Sequence, residues 1–324
     1  MTNSIFNIST ENDFTKAALQ VFKHQFENNK TYRSFCDLLC IHPADILKIE
    51  EIPFLPIRFF KSRKVLSSND EVQEIFTSSG TTGSVKSHHF ITDINLYKKS
   101  YSKGFAHFYG EIKDYIVLAL LPNYQEKKGS SLVFMVDDLI RKTNNSESGF
   151  YLQNLNELAK KLIELDKNQQ KILLIGVSFA LLDLIENHQF SLKNTIIMET
   201  GGMKGRRKEL VREELHLLLK NGFGAAEIHS EYGMTELLSQ AYSKGNGIFK
   251  TPPWMKILIR DTEDALTVLP TEKTGGINVI DLANYNSCSF IATQDLGKIH
   301  QNDTFEIIGR FDNSDIRGCN LMVL

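Results

Sequence analysis

The 324-residue chain is 42% hydrophobic, 23% charged and 10% aromatic, with a formal net charge of −2. Such a length supplies a core that needs no disulfides or structural metal, and it corresponds to about two ordinary domains or one large α/β domain. The aromatic content, beside only 20 glycines and 7 prolines, excludes global disorder. The near-neutral charge argues against a nucleic-acid binder.

Four cysteines, at positions 36, 40, 288 and 319, are too sparse for a disulfide scaffold. The opening MTNSIFNISTENDFTK has no apolar leader core. The longest apolar stretch, residues 172–185, is broken by Gly176, Ser178 and Asp183 and is too short to span a bilayer. These features predict a cytoplasmic protein with reduced thiols and no membrane insertion.

Within residues 10–40, Phe14, Ala17, Ala18, Val21, Phe22 and Phe26 recur at helical steps, and Thr10 or Asp13 suits the cap. In IPFLPIRFFK, residues 52–61, Pro53 and Pro56 exclude a helix and favour extended chain. Ile75 and Phe76 lead into a run of small polar residues, TSSGTTGSVKS, at 77–87. Helical spacing returns over 93–108. Residues 115–121 form a short apolar run ended by Pro122, and 155–165 an amphipathic helix. Apolar strands are expected at 172–175 and 195–198, with a helix at 181–186 between them; the second strand leads to Gly201 and Gly202. An amphipathic helix over 204–220 is expected to stop at Gly222. Strands alternating with helices predict a mostly parallel sheet covered on both faces. Beyond 250 the pattern changes to short strand candidates at 255–259, 276–281, 289–292 and 304–308. The expected division is an α/β core over 1–250 and a β-rich continuation over 251–324.

Residues 76–86, FTSSGTTGSVK, concentrate hydroxyls, two glycines and a lysine. Glycines let successive N–H groups converge on one point, hydroxyls add donors and Lys86 adds charge, which suits polyphosphate oxygens. An ordinary polar surface loop has a similar composition. The Walker pattern fails, because Val85 stands where its second glycine belongs. The dinucleotide fingerprint fails at 222–227, where no third small residue completes it.

The segment resembles the phosphate loop of adenylate-forming enzymes: acyl-CoA synthetases, luciferases and peptide-synthetase adenylation domains. Three further motifs of that superfamily follow in order. Glu231-Tyr232-Gly233-Met234-Thr235-Glu236 resembles Tyr-Gly-x-Thr-Glu, Thr293-Gln294-Asp295 resembles Thr-Gly-Asp, and GRFDNSDIR at 309–317 resembles Gly-Arg-x-Asp-x-x-Ile-Lys. Taken singly, the second could be a helix cap and the last a hairpin turn; their order is what distinguishes them. The resemblance implies that Ser78, Ser79, Gly80, Thr81, Thr82 and Gly83 cradle the phosphates of ATP. It implies that Gly201 and Gly202 line the adenine pocket, and that Tyr232, Gly233, Met234 and Thr235 touch the nucleotide. Glu236 would ligate Mg²⁺, a hard cation suited to carboxylate and phosphate oxygens, and Asp295 and Arg310 would approach the ribose. The implied fold is the large N-terminal domain of the adenylate-forming enzymes, mostly parallel sheets layered with helices, with a smaller β-rich subdomain near the C-terminus.

FLPIRFFK at 54–61, GGMKG at 201–205 and IRGCNL at 316–321 resemble the LuxE-type acyl-protein synthetases, a branch without the mobile C-terminal lid domain and its lysine. The last lysine of this sequence is Lys298. In that branch a cysteine near the C-terminus receives the acyl group, and Cys319 matches it. Arg317 favours its thiolate; the competing reading is a buried cysteine beside Leu321 and Val323. The implied reaction is ATP- and Mg²⁺-dependent activation of a fatty acid as acyl-adenylate. The acyl group then passes to a thiol: Cys319, an acyl-accepting protein, an acyl carrier protein or coenzyme A. Lys86, Glu236 and Cys319 are the expected catalytic residues, and Lys204, Arg206 and Arg207 are further candidates for neutralising phosphate. His88 and His89 either line the pocket or begin a strand.

Two other readings compete. Gly176-Val177-Ser178-Phe179-Ala180 imitates a nucleophile elbow with its last glycine replaced; a serine hydrolase would add Asp183 or Asp261 and His229 or His300, whereas Ser178 as a helix N-cap is the plainer alternative. A nucleotide-binding subunit dependent on a partner is the third reading. Cys36, Cys40 and His42 suit a helix face better than a metal site, since no second ligand pair lies near.

Overall fold

The computed structural model describes residues 4–78, 85–123, 126–201 and 210–311. They fall into two compact units, one spanning 70–252 and the other joining the first 69 residues to the chain from Pro253 onward. A cut at 250 alone would leave residues 1–69 with the α/β core, but their contacts lie with the C-terminal strands.

Those contacts are specific. Within 52–61 the paired strand is Leu55–Pro56, which runs parallel to strand Phe290–Ile299, Leu55 opposite Ile291; contrary to the expectation of no helix there, a single helical turn, Phe59–Ser62, begins three residues after Pro56, where the proline ring no longer obstructs it. The Gln25 amide donates to the carbonyls of Asn284 and Tyr285, each at 3.0 Å, and accepts from the Ser289 N–H at 2.9 Å. Tyr32 stacks against Phe290, and Phe22 meets the same ring edge-on. The strands Met255–Arg260, Thr274–Asp281, Phe290–Ile299 and Phe305–Arg310 form an antiparallel sheet in that order. The helical pattern at 10–40 resolves into two helices, Glu11–Asn28 and Lys30–Leu38, broken at Asn29. Thr10 caps the first by accepting from the Asp13 N–H, and the Asn29 side chain caps the second through the Tyr32 N–H.

The unit 70–252 is built on strands ordered Gly149–Phe150, Ile116–Leu120, Ile172–Gly176, Thr195–Glu199, His229–Tyr232, Ala241–Ser243 and Ile248–Lys250. The first five run parallel; Ala241–Ser243 pairs antiparallel with His229–Tyr232, and Ile248–Lys250 antiparallel with Ala241–Ser243. Every residue of IVLAL and ILLIG is buried, as strands covered on both faces require. Helix Ser131–Thr143, capped by Ser130 and not foreseen from spacing, packs on strand Ile116–Leu120. A separate hairpin pairs Glu74–Thr77 with His88–Ile91. Among the described residues, no helix is long and apolar enough to cross a membrane.

The helix expected over 204–220 also has different bounds. The helix runs from Arg212 to Phe223, through Gly222, and ends at Gly224 with φ +64°; residues 204–209 lie outside the described residues. Gly222 serves packing instead of termination, because a Cβ there would lie 2.5 Å from the Ile185 Cβ on helix Ser178–Asn187. Gly224 takes the left-handed cap that a side chain disfavours, with the Phe190 carbonyl 2.7 Å from where its Cβ would stand.

Candidate active site

The register sets Leu120 beside Gly176, Gly176 beside Glu199 and Glu199 beside Ser230. The C-terminal ends of these parallel strands therefore share one edge, where open α/β sheets bind ligands. Two expected nucleotide segments leave from it. Thr200-Gly201 follows strand Thr195–Glu199, and Gly201 adopts φ +71°, a backbone region open to glycine at little cost; Gly202 lies outside the described residues. Tyr232 ends strand His229–Tyr232, and Gly233, Met234, Thr235 and Glu236 continue into a turn closed by the Leu237 N–H on the Met234 carbonyl at 3.1 Å. This segment is a strand end and a turn, not a helix cap. Glu236 is buried, whereas Gly233 is exposed.

The hairpin frames the glycine-rich segment. The Ser87 N–H donates to the Ser78 hydroxyl at 2.9 Å, and the Ser78 N–H donates to the Ser87 carbonyl at 3.2 Å. Lys86 is exposed. Ser79, Gly80, Thr81, Thr82 and Gly83 lie outside the described residues. His89 is a strand residue opposite Phe76. It is fully buried, with Nδ1 2.8 Å from the Thr235 carbonyl oxygen. Since a carbonyl only accepts, Nδ1 carries the proton. His89 thus ties the hairpin that frames the glycine-rich segment to the turn bearing Thr235 and Glu236; of the two sequence alternatives, pocket wall or strand, it is a strand residue.

A buried acidic cluster underlies the same edge. Glu199 is 3% exposed. Its Oε2 accepts from the Gly201 N–H at 2.6 Å and the Ser178 hydroxyl at 3.3 Å. His216 Nε2 stands 3.6 Å from Oε1, and an Arg212 guanidinium nitrogen 4.0 Å from it. Burial opposes the charge, yet the adjacent His216 ring, the Arg212 charge, Ser230 and the Gly201 N–H outweigh it and hold the Glu199 carboxyl below its ordinary pKa. The neighbouring Glu231 lacks such support: burial, then the Glu199 charge, push it up to about 8. Its carboxyl oxygen abuts the backbone of Gly233, so closely that a Cβ there would collide with it. The sequence signal for Glu199 is a charged residue closing an otherwise apolar strand, TIIME.

Asp295 and Arg310 belong to the other unit. They are register partners, with Arg310 Nε 3.5 Å from Asp295 Oδ1. The Asp295 N–H donates to the Thr293 hydroxyl, which in turn donates to the Ile277 carbonyl at 2.9 Å. Arg260 braces these two strands, donating to the Thr293 and Ile277 carbonyls and to Asn278. Cys319 lies outside the described residues.

The hydrolase constellation is not assembled. Ser178 is the first residue of its helix, behind the Val177 cap, and its hydroxyl donates to a carboxylate, Glu199. His229 sits 3.1 Å from the Tyr109 hydroxyl; burial, then the Lys244 charge, lower its pKa to about 4. His300 lies beside Glu272 and Glu306 in the other unit. Cys36 is buried, its thiol pushed up to about 12 chiefly by that burial, and Cys40 is exposed. Among the described residues, no group of three or more His, Cys, Asp or Glu side chains could hold a metal ion.

Solved structures share this architecture. The 2-hydroxyisobutyryl-CoA ligase in its postadenylation state matches with a TM-score of 0.66 at 11% identity, over 93% of this chain and 68% of that one. ATP-bound MatB from Rhodopseudomonas palustris matches with a TM-score of 0.55 at 18% identity, over 75% of this chain. The match spans about half of the MatB chain, 49%. At such identities these structures speak to the fold, which is that of the adenylate-forming enzymes. A curated relative from Vibrio harveyi, a long-chain-fatty-acid–luciferin-component ligase, is 24% identical over 328 residues, 93% of this chain and 84% of the relative. The family model described as "Acyl-protein synthetase, LuxE" matches residues 5–324, and the chain belongs to that family.

Proposed function

We propose that this protein activates a long-chain fatty acid with ATP and passes the acyl group to a thiol. The observation that carries the reading is the convergence of the Gly201 turn and the Tyr232–Glu236 segment at the C-terminal edge of the parallel sheet. The hairpin that frames the glycine-rich segment is tied to them through His89. Family membership and the name of the Vibrio harveyi relative support the substrate class.

In the first step the fatty carboxylate attacks the α-phosphorus of ATP. An O–P bond forms, the bond to the β-phosphate oxygen breaks, and pyrophosphate leaves. Backbone N–H groups and hydroxyls of residues 78–83 would hold the phosphates, and Lys86 would offset their charge. Exposure of Lys86 leaves its amine free to reach an entering nucleotide. A single carboxylate is an adequate protein ligand for Mg²⁺, which takes its other oxygens from phosphate and water. Glu236 fits that role, and the ion, when bound, neutralises phosphate charge. Asp295 would accept from the ribose hydroxyls, beside Arg310.

In the second step a thiolate attacks the acyl carbonyl of the adenylate. A C–S bond forms, the C–O bond breaks and AMP departs with the electron pair. Cys319 is the proposed acceptor, from which the acyl group passes to a partner protein or carrier. The test is labelling with radioactive fatty acid and ATP. The wild type should acquire a hydroxylamine-labile label, and Cys319→Ser should lose it while retaining fatty-acid-dependent exchange of pyrophosphate into ATP. A variant that keeps the label removes Cys319 as acceptor.

A further inference from the structure

One carboxylate at the ligand-binding edge gathers four elements of the α/β unit. Glu199 closes strand Thr195–Glu199 and accepts from the backbone of the Gly201 turn at 2.6 Å. It also accepts from Ser178 at the start of helix Ser178–Asn187, at 3.3 Å. On its other oxygen it faces His216 and Arg212 of helix Arg212–Phe223, at 3.6 and 4.0 Å. The same His216 nitrogen is 3.4 Å from the hydroxyl of Ser230, in the strand that ends at Tyr232. Glu199, Ser178, His216 and Ser230 are all buried.

This arrangement exceeds what packing requires. A buried charge is costly and is ordinarily replaced without loss by apolar side chains of similar volume. Here the charge satisfies donors that no apolar residue could, and one is the N–H of a turn whose glycine holds φ +71°. The adenine-side turn and the strand leading to the Tyr232–Glu236 segment are thereby fixed to a common group. A preorganised site needs such support behind the residues that touch the ligand.

We propose that Glu199 is a positioning residue for ATP, its buried carboxylate holding the Gly201 turn directly and the Tyr232-bearing strand through His216 and Ser230. The proposal rests on the reading of this edge as the nucleotide site. It assigns Glu199 no contact with substrate.

A glutamine at 199 keeps the shape but not the pattern. Donors approach both carboxylate oxygens, so the amide must turn its NH₂ group onto one of them. The expected result for Glu199→Gln in pyrophosphate exchange is a rise of about tenfold or more in KM for ATP, the scale of a lost charge-assisted hydrogen bond. KM for the fatty acid should stay within about twofold, as the proposal assigns Glu199 to the nucleotide alone. Glu199→Asp, which keeps the charge but retracts it by one methylene, should show the same selective defect. Ser230→Ala removes only the hydroxyl beside His216 and should raise KM for ATP several-fold; it serves as the test should position 199 not tolerate change. An unaltered KM for ATP in a folded variant, or equal rises for ATP and fatty acid, overturns the proposal. Absence of exchange in the wild type with every fatty acid overturns the nucleotide-site reading itself, and the proposal with it.

Discussion

Glu231 offers a stability test that needs no substrate. The residue directly precedes Tyr232; its carboxyl lies against the Gly233 backbone and faces the charge of Glu199 from the neighbouring strand. Tyr242, its register partner on the other side, feels its charge in return. An acid whose pKa is raised by folding keeps its proton in the native state while the unfolded chain loses it. The stability it contributes is therefore complete below its unfolded value and is lost as pH climbs through the folded one. For Glu231 that window runs from 4.5 to about 8. At about 1.4 kcal/mol for each pH unit, the rise sets a ceiling near ~5 kcal/mol. The side chain retains partial access to water, and screening reduces the expected effect to about 1–3 kcal/mol. Glu231→Gln, near-isosteric and uncharged, removes the titration. Urea unfolding of wild type and variant at pH 5 and pH 8 isolates it, since every other group cancels in the double difference. The variant should gain about 1–3 kcal/mol on the wild type between the two pH values. Parallel stability curves would refute the assignment of Glu231 as a buried acid held protonated.

Two further substitutions probe the site. His89→Phe preserves bulk but leaves the half-buried Thr235 carbonyl without its ring donor, a loss of about 1 kcal/mol or more; the expected outcome is a several-fold or greater drop in kcat/KM for ATP in pyrophosphate exchange, and unchanged constants would remove His89 from the tether. Asp295→Ala should raise KM for ATP about tenfold or more yet change little with a 2′,3′-dideoxy analogue, which lacks the hydroxyls the carboxylate would hold; an equal loss with both nucleotides contradicts the ribose assignment.

Three strands of the α/β core were legible because each is a short apolar run with a clear stop, whereas Gly149–Phe150, His229–Tyr232, Ala241–Ser243 and Ile248–Lys250 are too short or too polar to stand out. Ile172–Gly176 and Thr195–Glu199 begin where the pattern placed them and extend one residue further. Helix Leu155–Lys167 follows from its spacing, and Thr10 from its capping chemistry. The placement of residues 1–69 was not legible, since it depends on Gln25, Tyr32 and Leu55 meeting residues more than two hundred positions away. Gly222 misled for a similar reason: glycine after a run of helix formers signals a stop, but here it admits Ile185 from another helix. The motif residues of the site stood out in the sequence, whereas their supports did not. His89 and Glu199 act through a carbonyl and a backbone N–H brought to them by the fold, and neither belongs to a recognisable string.

The central claim is that the protein forms a fatty acyl-adenylate. Pyrophosphate exchange into ATP by the wild-type protein, measured across a panel of carboxylic acids with Mg²⁺ present, tests it most directly. The account predicts exchange that depends on long-chain fatty acids and is negligible without an acid. No exchange with any member of the panel would contradict it.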